Sequence, residues 1–149
     1  MERRRVLPPT YLTVGLAAMV LLHFVFSGPR VVDGPWRLLG VPLGLAGLWV
    51  AVRADSLFKR LGTEIKPFQR SSLVVTEGLY RFSRHPMYLG FVVLLAGVGV
   101  LAGTLLPLVV VGVMFWLLSA RFAIPEERHM EQQFGEEYSV YKSRVRMWL

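Results

Sequence analysis

The sequence contains no cysteine among its 149 residues, and long parts of it contain no charge. Without cysteine the chain has no thiolate nucleophile, no cysteine-based zinc site and no disulfide. Residues 6–29 and 85–120 hold no Asp, Glu, Lys or Arg. A soluble domain of this length does not bury two such runs, whereas about 20 apolar residues are enough for a helix to cross a bilayer. The sequence therefore predicts an all-α integral membrane protein with a single domain, residues 1–149.

Four apolar segments predict about four transmembrane helices, at residues 11–26, 38–52, 87–102 and 105–120. The second charge-free run is long enough for two helices, and Gly103 and Pro107 lie near its middle. Glycine permits a tight turn and proline disfavours helix continuation. We therefore expect a helical hairpin, with one helix leading out and the next returning.

The basic residues lie almost entirely on one side of this arrangement. Fifteen of the 17 Lys and Arg residues fall in the N-terminus, the loop 53–86 and the tail 121–149, whereas the first loop holds Arg30 and Arg37 and the hairpin turn holds none. Because positive loops stay in the cytoplasm, both termini, the loop 53–86 and the tail are predicted to be cytoplasmic. The net charge of +7 then indicates contact with membrane lipids, not with nucleic acid.

The tail is predicted to form a C-terminal cytoplasmic helical segment. Pro125 suits the first position of a helix, and Glu126 and Glu127 would occupy its first turn, where the helix dipole favours acids. Gly135 is expected to divide the segment into two helices. In the loop 53–86, the second helix is expected to continue until Gly62, and residues 73–75 to be extended.

A specific motif begins the third span, where residues 84–88 read R-H-P-M-Y. Pro86 fits the first turn of a helix, which places His85 and Tyr88 near the membrane boundary. A purely structural interpretation is also open: Arg84 reaches the interface, Tyr88 belongs to an aromatic belt, and His85 caps the helix.

The adjacent acids Glu126 and Glu127 follow the last span. Such a pair commonly caps a helix. A carboxylate beside low-dielectric lipid would also hold an ammonium or sulfonium group well, so binding of a cation is the functional interpretation.

Several other features predict packing, not chemistry. Residues 97–102 match the dinucleotide pattern G-x-G-x-x-A, but they lie inside an apolar span with no preceding strand. The spacing of Gly40 with Gly44, and of Gly99 with Gly103, is typical of closely packed helices and permits a homo-oligomer. His23 is expected to bond to a neighbouring helix, and His129 lacks a metal-ligand spacing, so no metal site is predicted.

Residues 78–90, the charge-free hairpin, the paired acids and residues 134–142, which read F-G-E-E-Y-S-V-Y-K, occur in one order. Together they resemble the isoprenylcysteine carboxyl methyltransferase family and its relatives, the phospholipid methyltransferases, over residues 76–146. The resemblance implies methyl transfer from S-adenosylmethionine to a lipophilic or lipid acceptor, a carboxylate or an amine, at the cytoplasmic membrane face.

The resemblance also implies the residues of the site. Glu127 is assigned to the cofactor ammonium, and Arg84 and Glu127 to positioning, with no catalytic nucleophile. In an earlier span only Gly47 matches a family Gly-x-Gly. The residues implied to bind the cofactor are Leu79, Tyr80, Arg84, His85, Tyr88, Glu126, Glu127, Tyr138 and Tyr141.

Two other functions are consistent with the sequence. One is an NADPH-dependent membrane reductase related to the sterol reductases, which resemble this family in their C-terminal region. The other is a non-catalytic module whose basic loop binds anionic lipid. Such a module would need neither His85 nor the paired acids.

Overall fold

The computed structural model describes residues 7–26, 28–60 and 74–149, and within these ranges the chain contains helices and no strand. The predicted all-α membrane fold is confirmed. Short 3₁₀ turns cover Gly34–Leu39 and Gly78–Arg81, and a π turn covers Ser119–Ala123. The six α-helices of the described ranges are α1 (Pro8–Val25), α2 (Gly40–Arg60), α3 (Pro86–Ala102), α4 (Leu105–Leu118), α5 (Ile124–Phe134) and α6 (Glu136–Arg144).

In the described part of the chain, three helical stretches are long and apolar enough to cross a membrane: Pro8–Val25, Gly34–Arg60 and Leu105–Phe134. Helix α3 is apolar but shorter, with 17 residues. Large apolar side chains cover the outside of the bundle, and Phe24, Trp36 and Trp116 are each more than 60% exposed. Such an apolar exterior suits contact with lipid and not with water.

The predicted hairpin between α3 and α4 is confirmed. Helix α3 ends at Gly103, which adopts a left-handed conformation with φ of +73°. A Cβ atom there would lie 2.6 Å from the carbonyl oxygen of Val32, so glycine is required both by conformation and by space. Gly135 separates α5 from α6 with φ of +53°, as predicted.

Helix α5 begins at Ile124, one residue before the predicted start at Pro125, with Glu126 and Glu127 in its first turn as predicted, but no break separates it from α4. Helices α4 and α5 are continuous through the π turn Ser119–Ala123. Proline lacks an N–H and its ring collides with the carbonyl four residues earlier in a regular α-helix, and the wider π turn directly before Pro125 accommodates this. Glu126 and Glu127 therefore lie inside a continuous helix, and the capping interpretation of the pair is wrong.

Helix α2 extends further than the predicted span, because it continues to Arg60. The expected helix end at Gly62 lies outside the described residues, as does residue 73 of the expected extended run.

Residues 97–102 lie within α3, so the apparent dinucleotide pattern is helical, and no strand precedes it in the described ranges. The Nδ1 atom of His23 lies 3.3 Å from the hydroxyl of Thr104, so His23 bonds to the α3–α4 turn and not to a helix as predicted.

Glycines bring the backbones of α2 and α3 into direct contact. A Cβ atom on Gly97 would lie 2.5 Å from the Cα of Gly44 and 2.6 Å from the carbonyl oxygen of Gly40. Further along the same contact, a Cβ on Gly47 would lie 2.7 Å from the carbonyl oxygen of Gly90. The predicted packing role of Gly40 and Gly44 is confirmed, because both lie against the backbone or side chains of α3.

Candidate functional site

The start of α3 and the beginning of α5 lie side by side at one end of the bundle. Because α3 and α4 form a hairpin, the residues before α3 and those after α4 meet at the same end. The Nε2 atom of His85 lies 3.3 Å from Oε1 of Glu127, and its Nδ1 atom lies 3.7 Å from Oε2 of Glu126. One imidazole therefore contacts both acids, although 42 residues separate His85 from Glu127 along the chain.

Arg84 forms a buried ion pair with Glu127. Its Nε atom lies 2.8 Å from Oε1 of Glu127, and the two side chains are 8% and 9% exposed. The Nη1 atom donates a hydrogen bond to the carbonyl oxygen of Lys142, at 3.2 Å. Because the guanidinium is buried, this close contact with a carboxylate offsets the cost of removing its charge from water.

Lys142 is a member of the site that the sequence analysis did not identify. Its Nζ atom lies 3.6 Å from Oε2 of Glu127 and donates a hydrogen bond to Glu131. The hydrogen bond that Lys142 donates to Glu131 raises the pKa of Lys142, so the amine is positively charged at neutral pH. Lys142 follows Tyr138 by four residues, about one helical turn, so the two side chains lie on the same face of a helix. This spacing could have predicted that Lys142 lies near the site. Glu127 is thus surrounded by Arg84, His85 and Lys142.

Glu126 has different neighbours. The hydroxyl of Tyr88, in the first turn of α3, donates a hydrogen bond to its Oε1 atom at 2.5 Å. His85 is the nearby group that can be positively charged, at 3.7 Å. The two adjacent acids are therefore distinct: Glu127 is paired with cations, whereas Glu126 is held by a neutral hydroxyl and by the histidine that both acids share.

Helix α6 is attached over this end of the bundle. The hydroxyl of Tyr141 donates a hydrogen bond to the carbonyl oxygen of Tyr80 at 2.7 Å, and both side chains are buried. Burial raises the pKa of Tyr141 to about 12, with opposing contributions from the charges of Arg84 and Glu127. The hydroxyl is therefore protonated at neutral pH. The ring of Tyr138, also buried, lies 5.9 Å from that of Tyr141.

The last residues of the chain add to this attachment. The backbone N–H of Arg84 donates to the carbonyl oxygen of Arg146, and the hydroxyl of Ser83 donates to that of Met147. The ring of Trp148 lies 5.9 Å from the ring of His85. Sequence analysis did not identify this contact, because nothing local to Trp148 indicates that the chain returns to His85.

The structure separates the predicted site residues into three groups. Leu79 is half-buried and packs with Tyr80 against the cluster that contains Ala54 and Val75, without a contact to the acids. Tyr80, Tyr138 and Tyr141 form the surrounding layer. The residues brought into direct mutual contact are Arg84, His85, Tyr88, Glu126 and Glu127. In the described residues no group of three His, Asp or Glu residues is arranged to hold a metal ion.

We expect Tyr141→Phe to loosen the attachment of α6. The change removes one buried hydrogen bond and leaves the carbonyl of Tyr80 unsatisfied, which costs about 1 kcal/mol of unfolding free energy. For a chain of this size that corresponds to a melting temperature lower by about 2–4 °C, measured by tryptophan fluorescence in detergent. Tyr11→Phe is the matched control, because the Tyr11 hydroxyl makes no hydrogen bond among the described residues. Equal melting temperatures for the two variants would contradict the prediction.

Comparison with known proteins finds similarity of sequence over most of the chain. The sequence profile of the phospholipid methyltransferase family matches residues 36–137, which include the start of α3 and both acids. No solved structure matches the chain.

Individual relatives are similar over different lengths. The protein-S-isoprenylcysteine O-methyltransferase of Schizosaccharomyces pombe is 29% identical over 125 residues, covering 84% of this chain and 51% of the relative. Protein-S-isoprenylcysteine O-methyltransferase B of Arabidopsis thaliana is 35% identical over 72 residues, covering 48% and 36%. Methanethiol S-methyltransferase 1 of Bradyrhizobium diazoefficiens is 43% identical over 73 residues, covering 48% and 24%. The chain thus matches about half or less of the length of each of these relatives.

Proposed function

The chain belongs to the phospholipid methyltransferase family, and from this premise we propose that it transfers a methyl group from S-adenosylmethionine to a lipophilic acceptor. One observation carries the proposal. The R-H-P-x-Y motif and the paired acids, which are distant in sequence, meet in a single cluster, with His85 3.3 Å from Glu127. A protein that used these residues only as helix caps or membrane anchors would not need them in contact.

The residues of the cluster fit the amino-acid end of the cofactor, which carries an ammonium and a carboxylate on the same carbon. Glu127 offers a buried carboxylate for the ammonium. Arg84 offers a buried guanidinium whose planar N–H groups suit the carboxylate. The cofactor, when bound, supplies an electrophilic methyl group on a sulfonium sulfur. Arg84 and Glu127 would orient it, and α6, with Tyr138 and Tyr141, would restrict access of water.

Methyl transfer of this kind is an in-line displacement, in which a bond from the acceptor to the methyl carbon forms as the sulfur–carbon bond breaks. Correct positioning of two reactants accounts for much of the acceleration, about 7–11 kcal/mol in favourable cases. The protein therefore needs no nucleophile of its own. An acceptor that carries a proton must lose it, and Glu126, which accepts its hydrogen bond from the neutral hydroxyl of Tyr88, is the group we assign to receive it.

The distribution of basic residues supports a cytoplasmic location for this end of the bundle. A water-soluble cofactor would then enter from the cytoplasm. The cluster lies at the ends of apolar helices, so a lipophilic acceptor is able to approach from the bilayer. The names of two relatives, which act on isoprenylcysteine and on methanethiol, support a carboxylate or a thiol as acceptor, beside the amine that the sequence resemblance allows.

Calorimetry on the detergent-purified protein tests the proposed function. We expect binding of S-adenosylhomocysteine with micromolar affinity and no binding of NADPH. Binding of NADPH alone would indicate a membrane reductase. Binding of neither ligand would contradict an enzyme that uses these cofactors and favour a lipid-binding module.

Glu126→Gln is expected to separate the possible acceptors. With a thiol or amine acceptor, loss of the proton-accepting group lowers the rate of methyl transfer about 100-fold. With an isoprenylcysteine carboxylate, which has no proton to lose, the rate stays within about threefold. Transfer of a labelled methyl group to each acceptor provides the measurement. An equal loss with all acceptors would show that Glu126 does not act as a base.

A further inference from the structure

A cavity of about 270 Å³ lies at the end of the bundle opposite the candidate site. Its walls include His23 and Phe26 at the end of α1, Arg30 in the next segment, Arg37 in the 3₁₀ turn and Thr104 in the α3–α4 turn. Helix α3, whose 17 residues span about 25 Å at 1.5 Å each, separates the cavity from His85. The cavity is therefore not part of the methyltransferase site.

The walls of the cavity are held by backbone hydrogen bonds between two turns. The N–H groups of Val31 and Val32 both donate to the carbonyl oxygen of Gly103, at 2.9 and 3.2 Å. The N–H of Leu105 donates to the carbonyl oxygen of Pro29 at 3.1 Å. The segment after α1 is thus attached to the α3–α4 turn from both sides, and the cavity between them has a defined shape.

The charge around the cavity is positive. The Nε atom of Arg37 donates to the carbonyl oxygen of Leu101 at 2.9 Å, which holds this half-buried guanidinium beside the turn. Arg30 lies at the rim, with a side chain that is 75% exposed, and Asp33, which is 3.9 Å away, is also exposed. An exposed pair at this distance neutralises little charge. Guanidinium groups bind phosphate oxygens especially well, because their planar N–H groups match the geometry of the anion.

Apolar side chains surround the charged rim. Phe26, Val31 and Trp36 are each more than half exposed, on the same segments that carry the two arginines. Aromatic side chains concentrate at the level of the lipid headgroups in membrane proteins. A cavity with arginines at its rim and aromatic groups beside it would therefore meet headgroup phosphates.

From this arrangement we infer that the cavity binds the phosphate of an anionic membrane lipid, with Arg37 and Arg30 as the anion-binding residues. The acyl chains of the lipid would lie along the exposed apolar side chains of the same segments. This lipid site does not depend on the proposed methyltransferase activity, since it uses none of the residues at the start of α3 or in α5.

Isothermal titration of the full chain in neutral detergent tests the inference with three probes: dihexanoyl-phosphatidylglycerol, dihexanoyl-phosphatidylcholine and inorganic phosphate. We expect saturable binding of phosphatidylglycerol, and binding of the other two at least about tenfold weaker. Arg37→Gln should weaken the binding of phosphatidylglycerol about tenfold, since it removes a charged donor. Arg144→Gln makes the same change of charge at an exposed position of α6 and should leave the affinity within twofold.

Three results would overturn the inference. If inorganic phosphate binds as tightly as the lipid, the cavity is a site for a free anion. If Arg144→Gln weakens binding as much as Arg37→Gln, the effect reflects general surface charge. If Arg37→Gln shows no melting transition, the variant is not folded and Arg30→Gln, at the exposed rim, replaces it in the titration. An unchanged affinity of Arg30→Gln for phosphatidylglycerol would then contradict the lipid site.

Discussion

Replacement of Glu127 by glutamine is expected to weaken binding of S-adenosylhomocysteine about 100-fold. The reason is that a buried carboxylate pairs with the ligand ammonium, and removal of one partner from a buried charge pair costs about 2–5 kcal/mol. The change also leaves Arg84 without its anionic partner, because in the unaltered chain its Nε atom lies 2.8 Å from Oε1 of Glu127. Isothermal titration of the purified variant provides the measurement.

Glu131→Gln is the matched control for this prediction. Glu131 lies on the same helix and also contacts Lys142, but its side chain is 39% exposed and no contact joins it to Arg84 or His85 among the described residues. Its replacement should change the affinity less than threefold. If both variants lose affinity equally, the effect arises from Lys142 or from the net charge of α5, and Glu127 has no special part in binding.

The second large effect concerns the contact between α2 and α3. Gly97→Ala would place a Cβ atom 2.5 Å from the Cα of Gly44 and 2.6 Å from the carbonyl oxygen of Gly40. Backbone atoms cannot turn away as a side chain can, so the two helices must separate. Overpacking of this kind costs about 3 kcal/mol or more, and we expect a melting temperature lower by about 10 °C, measured by tryptophan fluorescence in detergent.

Gly112→Ala provides the control for the packing prediction. Gly112 also lies in an apolar helix, α4, but no atom is within 4 Å of the position that its Cβ would occupy. Its replacement should leave the melting temperature within about 2 °C, since a methyl group there meets open space. A loss of stability in both variants would show that any added methyl group is harmful, and the specific contact of α2 with α3 would not explain the result.

Much of the fold is predictable because its determinants are local. The charge-free runs identify the spans, and Gly103 supplies the left-handed conformation that a tight turn needs. The meeting of His85 with the acids also follows from sequence, because a hairpin returns the chain to the end where it began. Tyr88 and Glu126 are brought together by the same geometry, on the first turn of α3 and beyond the end of α4.

The features that sequence did not reveal depend on tertiary context. Pro125 is typical of a helix start, and only the preceding π turn shows that the helix continues through it. The ion pair of Lys142 with Glu127 depends on how α6 folds back after Gly135, and no local pattern defines that direction. The contact of Trp148 with His85 has the same origin. In each case the residue type was visible, but its neighbour was decided by packing.

A double-mutant cycle on His85 and Glu127, measured by titration with S-adenosylhomocysteine, tests the central claim most directly. Because both side chains contribute to one cluster, we expect the effects to be non-additive, with the variant His85→Gln/Glu127→Gln binding about as weakly as Glu127→Gln alone. A coupling of about 1 kcal/mol or more is typical of residues in contact. If the wild-type chain does not bind the ligand, or if the two single effects add in full, His85 and Glu127 do not form a shared cofactor site.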